Sequence, residues 1–347
     1  MNRRITMGCT ADKQRVAQKS RKRITMGEVK APVEPLHQER EQKEEFNIAE
    51  FFRLHEQFMI VKKLEGLANK TLSDHITFMR YFKDWLHGEV KDSENRVVEK
   101  GIFLEYIAYL FQREYKPCTI NLRLRTLKCY LRWLYIERII SEDISPKIKL
   151  VKVPKDTKEP LTVVEVKKIF KVMDLVEYSQ FRDYVIMMVI LDCGVRINEL
   201  LNVKVEDYNS KDKTIKISSE TAKTREARIL PISSKTARLL QRLITIAENN
   251  GEEYIFCSSY GGRIHTVNVI KNFEKYGKRA KVTNKQTTPH NYRRAFAVEA
   301  VKAGMDVFTL QKMLGHANIT TTRIYVNLDN THLIKAHERL NIINRFV

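Results

Sequence analysis

Residues Thr288–Tyr325 read TPHNYRRAFAVEAVKAGMDVFTLQKMLGHANITTTRIY, and where this stretch breaks decides the rest of the chain. His290 and Arg293 are three apart, so on one helix both side chains share a face. His316 and Tyr325 are nine apart, a separation that turns them to opposite sides of a single unbroken helix. The intervening residues ask for a break instead. Leu310–Leu314 is helical in pattern, Gly315 suits the position just past a helix end, and Asn318 or Thr320 can cap a new helix running to Tyr325. With that break, two imidazoles, a guanidinium and a phenol face one point. Such a set suits a phosphodiester, with cations to hold it and a hydroxyl to attack it.

The order H-x-x-R, then L-G-H, then a tyrosine nine residues on resembles the active-site box of the tyrosine recombinases, the phage integrase family. That family also has an upstream arginine in a G-x-R-x-x-E-L setting, and Gly194-Val195-Arg196-Ile197-Asn198-Glu199-Leu200 matches it. It has a lysine on a β-hairpin, eight residues before a proline that closes the next strand. Lys223 and Pro231, in AKTREARILP, have that spacing. Any one of these positions alone is weak, because a lone tyrosine or histidine is usually a core-edge or surface residue. Their joint register is specific. The resemblance covers residues 46–347, most closely from 160 onward.

What the resemblance implies is a catalytic set of Arg196, Lys223, His290, Arg293, His316 and Tyr325. Arginine fits because its planar fork donates two hydrogen bonds and stays charged at working pH. Arg196 and Arg293 would clamp the two non-bridging oxygens. His290 and His316 would donate to the same oxygens or relay a proton. Lys223 would protonate the departing oxygen. Tyr325 would be the nucleophile, leaving a covalent phosphotyrosine and a free 5′-hydroxyl. No metal, cofactor or ATP is implied, since the cations are side chains and the intermediate conserves the bond energy. Glu199 reads as a buried partner orienting Arg196. Two positions depart from the family pattern: Arg294 stands where histidine is frequent, and the lysine turn Ala222-Lys223-Thr224-Arg225 is not glycine-rich, which makes Arg225 a competitor.

The chain has 347 residues, enough for two domains, with 62 Lys+Arg against 42 Asp+Glu and a formal net charge of +20. Such a balance points to a polyanionic partner, nucleic acid first. Five cysteines, odd in number and without a C-x-x-C pair, indicate neither a disulfide framework nor a zinc site and suit a reducing cytoplasm. The longest apolar run, Val185–Leu191, is too short to span a bilayer, and the N-terminus has no apolar export signal.

Residues 1–45 are polar and aperiodic, with nine Lys/Arg in Met1–Lys30, and read as a disordered basic arm able to lie on DNA phosphates. Helical patterning starts at Phe46. It includes a helix capped by Thr71 or Ser73, another at Ile102–Arg113, and a third at Thr119–Arg138. In this last one Leu124, Leu127, Leu131 and Leu134 make a core stripe, and Arg125, Lys128 and Arg132 a basic stripe facing DNA. Prolines and lysines mark a basic linker at 143–160, in which Lys152 and Lys155 are further candidate DNA contacts. Beyond it come a capping box at Thr162/Glu165, a buried helix at Phe181–Leu191, and paired strands Thr214–Ser218 and Glu226–Pro231 around the Lys223 turn. Helices follow at Ser233–Ala247, Val267–Tyr276 and Leu333–Ile343.

The expected architecture is therefore multidomain. An all-α core-binding domain (46–142) precedes the linker and a mixed α/β, mostly α, tyrosine-recombinase catalytic domain (161–347), the two closing round a duplex as a clamp. The expected partner is double-stranded DNA, acted on by a homo-tetramer with possible accessory DNA-bending or directionality factors, in the cytoplasm and away from membranes. The basic N-terminus favours the integrase or transposase of a mobile element. The alternatives are a chromosome- or plasmid-dimer resolving recombinase, a type IB topoisomerase, and a non-catalytic DNA-binding regulator of the same fold.

Overall fold

The computed structural model describes residues 46–90, 96–153, 159–219 and 226–326. The basic arm 1–45, Lys155, Lys223, Arg225 and the helix expected at Leu333–Ile343 lie outside these residues. The chain divides into two compact units between Lys155 and Asp156. The described residues are mostly helical, with one small sheet.

The first unit contains four helices, α1 (Ile48–Leu64), α2 (Asn69–Glu89), α3 (Lys100–Gln112) and α4 (Pro117–Ile136). Asn47 caps α1 by accepting from the Glu50 amide at 3.0 Å, and Pro117 sits in the first turn of α4, where a missing N–H costs nothing. Thr71 and Ser73 do not cap α2. That helix starts at Asn69, behind Ala68, with no side-chain cap, because burial of Leu72, His75 and Met79 sets its first turns. The helices expected at Ile102 and Thr119 likewise begin two residues early. The leucine stripe of α4 is core as read: Leu124, Leu127, Leu131 and Leu134 are all buried. Around it pack rings, including Phe51, Phe58, Phe82, Phe103, Tyr106 and Tyr130, and the Tyr130 hydroxyl donates to the Phe51 carbonyl at 2.7 Å. The first part of the expected linker is held against α4. Ile144 and Ile148 are buried, and Asn121 exchanges two 2.8 Å hydrogen bonds with the backbone of Val151.

The second unit begins with α5 (Val163–Lys171), entered through the expected capping box of Thr162 and Glu165. There follow α6 (Tyr178–Cys193), the single turn α7 (Ile197–Leu200), strands β1 (Tyr208–Asn209), β2 (Thr214–Ile217) and β3 (Arg228–Pro231), and helices α8 (Ser234–Asn249), α9 (Thr266–Arg279), α10 (Pro289–Lys302), α11 (Val307–Leu314) and α12 (Ile319–Val326). The sheet is antiparallel in the order β1-β2-β3, with Ile215 opposite Leu230, so the hairpin expected from sequence gains a short third strand. Tyr254–Cys257 makes only isolated bridges. Helix α6 is largely buried, through Val185, Ile186, Met187, Val189 and Ile190, and packs against α10. It ends at Gly194 with φ 65°, where a Cβ would lie 2.3 Å from Phe296 Cδ1. Both handedness and space demand glycine there.

Candidate active site

The break expected in the Thr288–Tyr325 stretch is present. Helix α11 ends at Leu314, Gly315 adopts φ 61°, and Asn318 accepts from the Thr320 amide at 2.8 Å to start α12. Three consecutive carbonyls at this end each accept from a different arginine. Met313 O receives Arg228 Nε at 3.2 Å, Leu314 O receives Arg293 Nη2 at 2.7 Å, and Gly315 O receives Arg196 Nη2 at 2.7 Å. A helix C-terminus carries partial negative charge and unsatisfied carbonyls, so it is a natural seat for cations.

Glu199 joins two of the three. Its carboxylate, with the side chain 1% exposed, accepts from Arg196 Nη1 at 2.9 Å and from Arg228 Nη2 at 2.5 Å. Burial alone would raise its pKa. The hydrogen bond and charge of Arg228, then those of Arg196, outweigh burial and hold the carboxyl below its ordinary value. Glu199 thus orients Arg196, as the sequence suggested. Arg228 was not anticipated. It lies on β3 two residues before Leu230, and the period of two in a strand turns both inward while Ile229 is 68% exposed. That inverted alternation, a charge inside and an isoleucine outside, was the available signal.

Arg293 is buried. Its Nη1 also donates to Gly194 O at 2.7 Å, so the αL turn that ends α6 and the one that ends α11 both grip this guanidinium. Burial, then the adjacent Arg196, lower its pKa to about 9. Its Nη2 lies 2.9 Å from His316 Nε2, and His316 Nδ1 lies 2.9 Å from the Thr322 hydroxyl. Burial, then the charges of Arg293 and Arg196, lower the His316 pKa to about 4, so this imidazole is neutral near pH 7. His290, in the first turn of α10, is on the surface and within electrostatic reach of His316.

Tyr325 is partly buried on α12, against the cluster that includes Phe296, Leu310 and Leu314, and its phenol is within electrostatic reach of Arg293. The other tyrosine of the stretch, Tyr292, is unsuited to attack. It is fully buried edge-on to Phe273, and burial pushes its phenol far above the ordinary range. Arg196, His316 and Arg293 therefore meet at the α11–α12 turn, with Tyr325 and His290 beside them; Lys223 lies outside the described residues. Among the described residues no group of three or more His, Cys, Asp or Glu could hold a metal, and no helix is long and apolar enough to cross a membrane.

The basic stripe of α4 is partly engaged within its own unit. Lys128 Nζ donates to Ile148 O at 2.6 Å and Arg132 pairs with Asp143 at 2.8 Å, while Arg125 and Lys152 are exposed.

Comparison with known proteins identifies the family. The sequence profile of the Phage integrase family matches residues 159–332. Tyrosine recombinase XerA of Pyrococcus horikoshii is 29% identical over 292 residues, spanning 83% of this chain and 93% of its own length. Tyrosine recombinase XerC of Thermodesulfovibrio yellowstonii is 26% identical over 293 residues, spanning 82% and 94%. Among solved structures, the Tn1549 transposon integrase in complex with circular intermediate DNA has a TM-score of 0.68 at 19% identity, over 84% of this chain and 99% of that one. A lambda integrase tetramer bound to a Holliday junction has a TM-score of 0.64 at 18% identity, over 79% and 76%. These last two likenesses are of fold. The chain belongs to the phage integrase family and is a tyrosine recombinase, an enzyme of site-specific DNA breakage and rejoining.

Proposed function

We propose that Tyr325 attacks the scissile phosphate of double-stranded DNA, while Arg196 and Arg293 hold its non-bridging oxygens. The observation that carries this reading is the seating of both guanidinium groups on adjacent carbonyls, Gly315 and Leu314, of the same turn that leads into the tyrosine's helix. Preorganised donors of this kind stabilise the extra negative charge of a phosphorane-like transition state without reorganising at the moment of reaction. His316 orients Arg293, and His290 donates from the first turn of α10. Lys223 protonates the leaving 5′-oxygen, which as an alkoxide departs poorly near neutral pH. The products of each cut are a 3′-phosphotyrosyl enzyme and a free 5′-hydroxyl, and attack by a partner strand's hydroxyl reverses the step. Two such exchanges through a four-way junction, on a homo-tetramer, complete recombination. The helices of 46–142 serve as the core-binding domain, with Arg125 and Lys152 on phosphates. Lys128, Arg132 and Lys155 belong to the same proposed surface, the first two after exchanging their internal partners.

On biological role, the basic residues 1–45 suit a mobile-element integrase or transposase. The relatives named XerA and XerC, matched over more than four fifths of the chain, favour a dimer-resolving recombinase instead. Sequencing the DNA trapped covalently on the protein in its host separates the two: element ends for the first, a single chromosomal or plasmid site for the second.

A nicked suicide substrate tests the chemistry. The wild type accumulates a covalent adduct, and Tyr325→Phe binds the same DNA without forming one. An undiminished adduct from Tyr325→Phe overturns the assignment. Lys223→Ala is expected to cleave ordinary DNA slowly and to recover when sulfur replaces the 5′-bridging oxygen, since a thiolate leaves without protonation. Arg196→Ala is not expected to recover.

A further inference from the structure

The imidazole of His316 is held from both sides, and the chemistry of its partners fixes its protons. A guanidinium only donates. Arg293 Nη2, 2.9 Å from His316 Nε2, therefore requires a lone pair on Nε2. The ring proton then sits on Nδ1, which donates to the Thr322 hydroxyl 2.9 Å away. A doubly protonated ring would set N–H against N–H at Arg293. Thr322 is 0% exposed, so solvent has no access to take over its hydroxyl's place. It lies one turn before Tyr325 on α12, so the same hydroxyl ties the helix of the tyrosine to the turn that seats the arginines. Of the run Thr320-Thr321-Thr322, only the last points inward; the first two are exposed.

We propose that Thr322 is a positioning residue for strand cleavage: its hydroxyl accepts from Nδ1–H, holds the ring of His316 so that Nε2 stays in line with Arg293, and latches the Tyr325 helix to the Leu314–His316 turn. The tautomer claim stands on the geometry of the DNA-free protein; its effect on rate rests on the roles proposed above for Arg293 and Tyr325. Without the hydroxyl, Nδ1–H would face a buried methyl group. A buried N–H without a partner is costly, so the ring turns toward another acceptor, Nε2 leaves its line with Arg293, and ring and guanidinium move apart. A displacement of that kind, on the order of an ångström at a charge-bearing group, costs about a hundred-fold in rate.

The test is nitrogen-15 NMR of the histidine rings in the full-length DNA-free protein, with the His316 signals assigned by their loss in His316→Gln. The wild type should show a pyrrole-like Nδ1 and a pyridine-like Nε2; the reverse pattern overturns the proposal whatever any variant does. Thr322→Val should weaken the Nε2–Arg293 hydrogen bond, read as a change in the Nε2 nitrogen-15 shift, slow adduct formation on the suicide substrate by about a hundred-fold and leave DNA affinity unchanged. Thr322→Ser should restore both the Nε2 shift and the rate, which a purely space-filling role would not predict. Thr322→Val that keeps the wild-type Nε2 shift and reacts within about two-fold of wild type rejects it. If Thr322→Val does not fold, the wild-type tautomer and the serine variant decide. A wild type with the expected tautomer but no adduct at Tyr325 would count against the proposed function and not against the tautomer.

Discussion

The two units of this chain are stabilised by different means. The first is built on rings: Phe51, Phe58, Phe82, Phe103, Tyr106 and Tyr130 interlock edge-to-face and stacked, with Trp85 and Trp133 at their margin. The second is built mainly on aliphatic side chains such as Val185, Ile186, Val189, Ile190, Leu240 and Leu243, and it buries charge. Arg293, Glu199 and the Arg182–Asp183 pair are all inside. Burying an ion is costly unless it is paired or well hydrogen-bonded. The first unit is sparing with such ions: among its described residues it buries Arg123, over the rings of Tyr81 and Tyr115. The contrast is one of degree, a ring-built unit that holds a cation on aromatic faces against an aliphatic one that encloses a network of carboxylates and guanidinium groups.

The sharpest way to break this contrast is at Glu199. Removing one partner of a buried charge network costs roughly 3–5 kcal/mol, because the remaining charges are left uncompensated. Glu199→Ala should lose about that much in chemical denaturation followed by circular dichroism, and adduct formation should fall by about a hundred- to a thousand-fold. A loss near zero would mean the carbonyls of α11 suffice as counter-ions.

In the first unit the matching change is Phe82→Ala, which removes a ring touching Phe51, Trp85, Phe103 and Tyr106. Here about 3–5 kcal/mol is expected from lost burial and the cavity left behind. Both tryptophans of the chain lie in this unit, so fluorescence reads its unfolding selectively.

Acid should affect the ring-built unit too. His55 and His75 are buried there, and burial, then the neighbouring histidine, lowers the His55 pKa from 6.5 to about 4, while burial also lowers His75. Above pH 6.5 both folded and unfolded chains are neutral at these sites, and nothing is lost. Between 6.5 and 4 the unfolded chain takes up protons that the folded chain refuses, so stability falls as pH falls. His55 alone accounts for roughly 3 kcal/mol across that window. A tryptophan-detected melting temperature unchanged between pH 7 and pH 4.5 would show that His55 is not buried neutral.

The smallest effect is at Arg132. Its side chain is 61% exposed, and its bond to Asp143 should contribute less than about 1 kcal/mol. If Arg132 leaves Asp143 for a phosphate on DNA, Arg132→Ala should instead flatten the log–log salt dependence of binding by about one unit. An unchanged slope would confine Arg132 to its own unit.

Much of the site was legible because its parts are local. Helix ends have chemical signatures, so the stop at Gly315, the restart behind Asn318 and the capping box at Thr162 could be read from neighbouring residues alone. So could the leucine stripe of α4, whose period is the helix's own. What stayed hidden depends on partners far along the chain. Arg228 meets Glu199 across 29 positions and Met313 across 85, and nothing near Arg228 announces either. Thr322 looks no different from Thr320 or Thr321 until α12 is laid on its neighbours. The start of α2 was misplaced for a related reason: Thr71 and Ser73 are good capping residues, but packing of the apolar face extends the helix past them. Lys128 and Arg132 read as a free basic face, and their internal partners appear only when residues 140–151 fold back.

The three carbonyls of Met313, Leu314 and Gly315 carry a consequence for how this enzyme can vary over descent. Counter-charge supplied by a carboxylate can be lost in one substitution, whereas counter-charge supplied by the main chain is present whatever side chain stands there. Positions 313 and 314 are thus free to change with their packing, and the electrostatic part they play passes unaltered through every allele. Gly315 is the exception. A Cβ there would lie 3.0 Å from Arg228 Cζ and 3.3 Å from Arg196 Nη1, on a backbone with φ 61°. A saturation screen of this turn should therefore accept apolar exchanges that keep the packing at 313 and 314 and accept nothing in place of Gly315, so the most polar function of the segment should register at its least polar residue.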